Sequence, residues 1–357
     1  MKEKYQNIRK TETGRDSFFH FIEMKSFMTV FYVILTILVV SAGINVSGCT
    51  NKGFSPNANS PGGKSPQSAQ NSAPESGNGR ISQNNSSDKN IPEIDASSIK
   101  PGNTPPVFRN KKDGSVLILI PAGEFVMGAG DDDKEAKQNE KPAHKVKLDA
   151  YYINKYEVTY RQFKNFLKKS GYKPVGNWNR FDSPEFLDHP VMNVTFLDAD
   201  AYCRWAGLNL PSEAQWEMAA RGTDGRKYPW GNNWDPNKCN NPETNDPEIL
   251  KKMNNIQDKR GSLPPGSIAS DISPYGIMDM AGNINEWCGD WYISSYYKKA
   301  PYYNPEGPDK SAERSIKGGA WSLPPARCRA SARWSGSVES DLDDYGFRCG
   351  LKIKSRK

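Results

Sequence analysis

Apolar and polar positions divide the chain into three stretches of different character. Residues 27–43 read FMTVFYVILTILVVSAG and carry no charge. Residues 50–106 are dominated by Asn, Ser, Pro and Gly and hold few large apolar residues. From Val107 the apolar positions recur with the spacing of folded elements. VLILIPAGEFVMG predicts a strand, a Pro-Ala-Gly-Glu turn and a second strand ending at Gly128. KVKLDAYYINKYEVT alternates as half-buried strands do. Thr159 can cap a helix on which Phe163, Phe166 and Leu167 share one face. A second helix is expected over DADAYCRWAG and a third from LPSEAQWEMAARG. In the third, Ser212 and Gln215 have capping-box spacing, and Gly222 suits the left-handed position after the last turn. Residues 227–273 read mostly as turns. RSIKGGAWSLPPARCRASARW and YGFRCGLKI return to strands joined by loops. With no internal repeat and no alternating βα pattern, residues 107–357 read as one α+β domain rich in irregular structure.

The apolar stretch is short for a membrane span and long for a signal core. The residues just after it settle the reading. Val46-Ser47-Gly48-Cys49 resembles a bacterial lipobox, in which small residues precede a cysteine that receives lipid. Met24-Lys25 would make an ordinary start for such a signal. Residues 1–49 are therefore read as an anchor segment with lipidation at Cys49, an uncleaved helix being the alternative. Residues 50–106 bury too little apolar surface to offset the entropy of ordering and read as a flexible tether. The expected location is the bacterial cell envelope, with the domain outside the cytoplasm and disulfides permitted.

The net charge of +7 changes little. Basic residues gather before the apolar stretch and at the C-terminal tail, and no basic stripe interleaves with aromatics, so a nucleic-acid partner is not expected. The Asp run after Gly128 lacks the Gly and terminal Glu offsets of an EF-hand. No Ser-His-Asp arrangement, phosphate loop or zinc spacing occurs.

IPAGEFVMG, EKPAHKV, YEVTYRQF, HPVMNVTFLDADAYCRWAG, LPSEAQWEMAARG, YPWG, SPYGIMDMAGNINEW, KGGAW and GFRC occur in this order over residues 115–353. Together they resemble the formylglycine-generating enzyme, or sulfatase-modifying factor, family. The resemblance implies a compact domain distantly similar to C-type lectins, often with calcium. In DMAGNINEWCGDWY, Asp279 and Glu286 are hard oxygen ligands either side of a Gly turn. The family pattern places one calcium ion on Asp279, Gly282, Ile284 and Glu286, with a second near Asn240 and Asn241. Trp287, Trp291 and Tyr292 read as core aromatics.

The resemblance also implies a disulfide between Cys203 and Cys349. A second family bridge falls on Ala220 and Ala330 and is missing as a whole. Cys288 and Cys328 resemble positions recurring in bacterial relatives and are expected to pair, leaving Cys239 odd.

The family reaction oxidises a substrate cysteine with O2 and one Cu(I), a soft cation that selects thiolates. The two ligand cysteines belong just after the Gly-Gly turn. Here the first position is Leu323, and the second is Cys328 or Pro325 depending on the direction of counting. Ala320 replaces the family's serine, and Asn285 its tryptophan. His144 and His189 occupy ordinary motif positions rather than an iron set. Copper is therefore not expected, and the first reading is a binding or assembly module for an envelope protein, peptide or glycan. Its candidate contacts are Asn285, Trp321, Arg333 and Trp334. The alternative is an active oxidoreductase acting on cysteine in an exported sulfatase-like protein, with Cys328 as a catalytic thiol and Cys239 as an unforeseen second ligand.

Overall fold

A computed structural model describes residues 90–254 and 261–353. The apolar stretch, Cys49 and residues 50–89 lie outside the described residues. The strands are β1 (Glu93–Ile94), β2 (Val107–Asn110), β3 (Val116–Ile120), β4 (Gly123–Met127), β5 (His144–Leu148) and β6 (Tyr151–Asn154). Helices α1 (Tyr160–Ser170), α2 (Phe196–Trp205), α3 (Glu213–Arg221) and α4 (Pro247–Asn254) come next. The chain then forms β7 (Asn285–Trp291), β8 (Glu313–Lys317), β9 (Trp334–Ser337), β10 (Tyr345–Gly346) and β11 (Gly350–Lys352). One sheet has the order β1-β2-β3-β6-β11, a second β10-β7-β8-β9, and β4 pairs with β5 alone. The α+β reading holds. Among the described residues no helix is long and apolar enough to cross a membrane.

Local signals act as their chemistry dictates. Thr159 and Gln162 cap α1 reciprocally, and Gly171 closes it at φ 68°. Ser212 and Gln215 do the same for α3. Gly222 takes the positive φ (69°) that favours glycine after α3, with ψ −150° outside the left-handed helical basin.

Strand β6 departs from the half-buried expectation, because both of its faces are covered. Tyr152 packs edge-on to Phe108 in one cluster with Phe163, Tyr202 and Phe347. Tyr151 and Ile153 enter a second cluster with Phe125, Trp216 and Cys288. Lying between two cores, β6 loses the polar face that alternation implies. Two boundaries also move. The expected tether gives way to the domain before residue 107, since β1 pairs with β2 and Ala96 is buried in the core beside Ile94 and Ile99. Helix α4 forms inside the stretch read as turns, with Asp246 accepting from the amides of Glu248 and Ile249.

Cys203 in α2 and Cys349 before β11 form a disulfide with a Cα–Cα distance of 5.8 Å. It fastens a helix of the first core to the strand that closes the first sheet.

Candidate functional site

The turn entering β7 carries three residues at positive φ: Asp279 (56°), Gly282 (73°) and Asn283 (58°). Close packing requires glycine at 282, where a Cβ would lie 2.2 Å from the Asn240 carbonyl oxygen. The Gly282 amide donates to the Gly318 carbonyl and the Asn283 amide to the Asn240 carbonyl, each at 2.9 Å. The turn is thus gripped on one side by the 236–245 turns and on the other by the Gly-Gly turn after β8.

Beneath it Arg348, fully buried, organises the corner. Its Nη2 and Nε donate to Glu286 Oε1 and Oε2, each at 2.6 Å. Its remaining N–H groups donate to the carbonyls of Met278 (3.0 Å) and Asp279 (3.1 Å). Trp216 Nε1 adds a bond to Glu286 Oε2 at 2.9 Å. Both Glu286 oxygens therefore accept from protein donors.

The neighbouring carboxylates are less well provided for. Glu157 Oε2 accepts from Asn283 Nδ2 at 2.7 Å, while Glu157 Oε1 is buried without a partner. Asp279 Oδ2 accepts from the Gly266 amide at 2.6 Å. Asp271 is buried with Oδ1 unpartnered. Burial, and then the charges of Asp279 and Glu286, push the Glu157 carboxyl well above its ordinary range. Asp279 is raised to about 7, chiefly by burial, against the lowering effects of the Gly266 amide and Arg348. Asp271 is raised well above its range by burial and by Asp279. Four carboxylates thus share a corner in which the Arg348 guanidinium is already committed to one of them.

A hard cation suits this surplus of negative oxygen. Among the described residues no three Cys, His, Asp or Glu side chains converge so as to hold a metal by themselves. The side chains that could hold an ion here are Asp279 and Glu157, with the Gly282 and Ile284 carbonyls as the backbone ligands the family pattern implies. Sequence reasoning misses Glu157, although it stands in the YEVT motif. At the second expected site Asn240 keeps a buried Oδ1 without a partner, while Asn241 is engaged on both sides. Asn241 Nδ2 donates to the carbonyls of Pro236 (2.7 Å) and Cys239 (2.9 Å), and its Oδ1 accepts from the Glu243 amide (2.9 Å). Asn240 Nδ2 donates to Gly261 O and Asn283 Oδ1. Both asparagines are turn organisers with no carboxylate joined to them in that role.

The expected contact residues separate by burial. Arg333 is not a surface contact, because it is buried and bonds Glu213 through both carboxylate oxygens, at 2.6 and 2.9 Å, under the ring of Tyr297. Asn285 is buried in β7 with Oδ1 unpartnered. Trp321 is half-buried, with its indole N–H unpartnered. Trp334 is 43% exposed at the start of β9, and the Arg327 guanidinium lies 3.8 Å from its ring centroid. Lys137 stands over the same ring at 5.3 Å. A polar depression of about 500 Å³ lies elsewhere, lined by Asn177, Arg180, Asn193, Asp341 and Asp343.

The cysteines also differ from expectation. Cys288 and Cys328 do not pair: Cys288 sits in the Trp216 cluster, whereas Cys328 sits with Cys239, Tyr228 and Ala281. Cys239, Cys288 and Cys328 are free and buried. At the family's copper positions, Leu323 and Pro325 are half-buried residues of the turn leading to Cys328. His189 is buried beside Ser262 Oγ (3.3 Å), and burial lowers its pKa to about 4. His144 stacks edge-on against Tyr297.

The chain is 31% identical to the formylglycine-generating enzyme of Streptomyces coelicolor over 284 residues, covering 65% of this chain and 88% of that one. It is 28% identical to the mouse inactive C-alpha-formylglycine-generating enzyme 2, covering 65% and 84%. Among solved structures, PvdO from Pseudomonas aeruginosa is similar with a TM-score of 0.59 and 25% identity, over 70% of this chain and 99% of that one. The sulfatase-modifying factor enzyme 1-like domain matches residues 104–353. With that span, and with its motifs arranged around the Arg348 corner, the chain belongs to the formylglycine-generating enzyme, or sulfatase-modifying factor, family.

Proposed function

We propose that this member of the family is a binding or assembly module held at the bacterial cell envelope by lipid on Cys49, and that it does not oxidise cysteine. The observation that carries the reading is the turn after Gly318-Gly319. It presents Leu323 at the first position where the family reaction needs a thiolate, and the second falls on Pro325 or on Cys328, which is fully buried. Linear Cu(I) coordination takes two soft donors open to a third from substrate. A relative whose name declares it inactive indicates that the fold persists without the reaction.

The binding face in this reading is Trp334 with Arg327 and Lys137, with Trp321 a further candidate contact. An exposed indole flanked by two cations favours a partner that brings carboxylates and an apolar side chain, such as an acidic peptide segment of an envelope protein. Calcium is proposed as the structural cofactor at Asp279 and Glu157, where it would offset buried negative charge and fix the turn entering β7. Copper has no part in this reading.

The second reading, an oxidase, is favoured by one specific feature: Cys239 and Cys328 are buried in one cluster. The purified chain is incubated with Cu(I), O2, a thiol reductant and a cysteine peptide copied from a sulfatase. The module reading predicts an unchanged peptide mass and no stoichiometric copper. One bound Cu(I) per chain, with conversion of the peptide thiol to an aldehyde, would replace it with the oxidase.

A further inference from the structure

Cys239 lies just after the 3-10 turn Pro236–Lys238 and Cys328 just after the 3-10 turn Pro325–Arg327. Two similar turns thus deliver a thiol each to one small buried cluster. Both side chains are fully buried there with Tyr228 and Ala281, under the half-buried rings of Trp230 and Trp234. Both thiols belong to that one cluster. Asn241 Nδ2 approaches Cys239 Sγ at 3.5 Å. Cys288, the other free thiol among the described residues, belongs to a separate cluster around Trp216.

We propose that Cys239 and Cys328 are a modification site: they form a second disulfide when the protein meets a disulfide oxidant of the glutathione class. The step balances as thiol–disulfide exchange. One protein thiolate attacks the oxidant's disulfide and releases one reduced thiol. The second protein thiolate then displaces the other, so the Sγ–Sγ bond forms as two small thiols leave with the two electrons and two protons. Burial in one small cluster supplies the pairing, and the two turns must bring the sulfurs to bonding distance.

The consequence lies in what the two turns hold. Asn240, next to Cys239, accepts from the Asn283 amide, while Gly318 accepts from the Gly282 amide. Gly319 is packed against Arg327, where an added Cβ would meet the Arg327 carbonyl oxygen at 2.8 Å. A bond between Cys239 and Cys328 therefore joins both walls that grip the turn entering β7. It also closes a loop of about 90 residues, a length for which a bridge restricts the unfolded chain strongly.

The full chain is refolded in a glutathione redox buffer containing a metal chelator, quenched in acid, alkylated under denaturing conditions and mapped by peptide mass spectrometry. The expected product is a linked peptide pair carrying Cys239 and Cys328, with Cys288 alkylated. The difference in thermal midpoint between oxidised and reduced protein should shrink by about 5 °C in Cys239→Ala and in Cys328→Ala. It should stay unchanged in Cys288→Ala. Alkylation of both Cys239 and Cys328 whatever the glutathione ratio, or a link from either to Cys288, would overturn the proposal.

Discussion

Two buried acidic clusters lie either side of Trp216 and differ in charge balance. In one, Glu213 bonds Arg333 through both oxygens, with Ser315 and Tyr297 as further donors. Glu217 beside it accepts from Lys317 (3.0 Å), Arg221 (2.9 Å) and the Gly128 amide (2.7 Å). Burial alone would raise the Glu213 carboxyl, but Arg333 and Lys317 hold it down to about 2. In the other cluster Glu157, Asp271, Asp279 and Glu286 share Arg348, and burial drives the first three upward. The balanced cluster is complete as built. The unbalanced one is stable only if protons or a cation make up the difference.

The largest expected effect comes from unbalancing the complete cluster. Arg333→Met leaves Glu213 buried without its guanidinium and should cost about 3–5 kcal/mol in denaturant unfolding. Adding Glu213→Leu should recover much of the loss. A destabilisation below about 1 kcal/mol would remove the distinction between the clusters.

Neutralising one carboxylate in each cluster sharpens the contrast. In chelator-treated protein, Glu217→Gln should cost about 2 kcal/mol, because Lys317 and Arg221 lose a partner. Glu157→Gln should raise stability by about 1 kcal/mol, because it relieves like charge. Equal signs for the two variants would count against the imbalance.

The same contrast sets opposite pH slopes. Folding raises the Asp279 and Glu157 carboxyls, so the folded state binds their protons more tightly. Their contribution is present at low pH and is lost as pH rises from about 4, the unfolded value, toward about 7 for Asp279. Folding lowers Glu213, so its contribution is present above the unfolded value and is lost as pH falls toward about 2. The unfolding free energy of chelated protein should therefore fall between pH 5 and 7, by an amount on the order of 1 kcal/mol, and Glu157→Gln should flatten that limb.

The smallest stability effect is expected outside both clusters. Trp334→Ala should alter stability by about 0.5 kcal/mol or less. It should nonetheless abolish any binding of an acidic, aromatic-containing peptide measured by fluorescence anisotropy. Unaltered peptide binding would move the contact surface elsewhere.

Much of this arrangement is legible in the sequence where the signal is local. The capping boxes at Thr159 and Ser212 are written in spacing, and both form. The Cys203–Cys349 bridge agrees with its two motifs. What the sequence hides is which buried charge meets which. Arg348 stands in GFRC and Glu157 in YEVT, yet neither motif announces that Arg348 reaches Glu286 or that Glu157 faces Asn283. These partners are far apart along the chain and have no period in common. For the same reason sequence reasoning puts Cys328 beside Cys288 rather than Cys239, since two turns from distant segments choose the pairing. Arg333 reads as a contact residue from its place in the family motif, but its pairing with Glu213 buries it.

The imbalance is tested most directly by calorimetric titration of chelator-stripped full chain with calcium at neutral pH, with Asp279→Asn in parallel. The account predicts one calcium per chain, with proton release that varies with the buffer's ionisation heat, and loss of that binding in the variant. No binding heat in the wild type, or equal binding in Asp279→Asn, would contradict it.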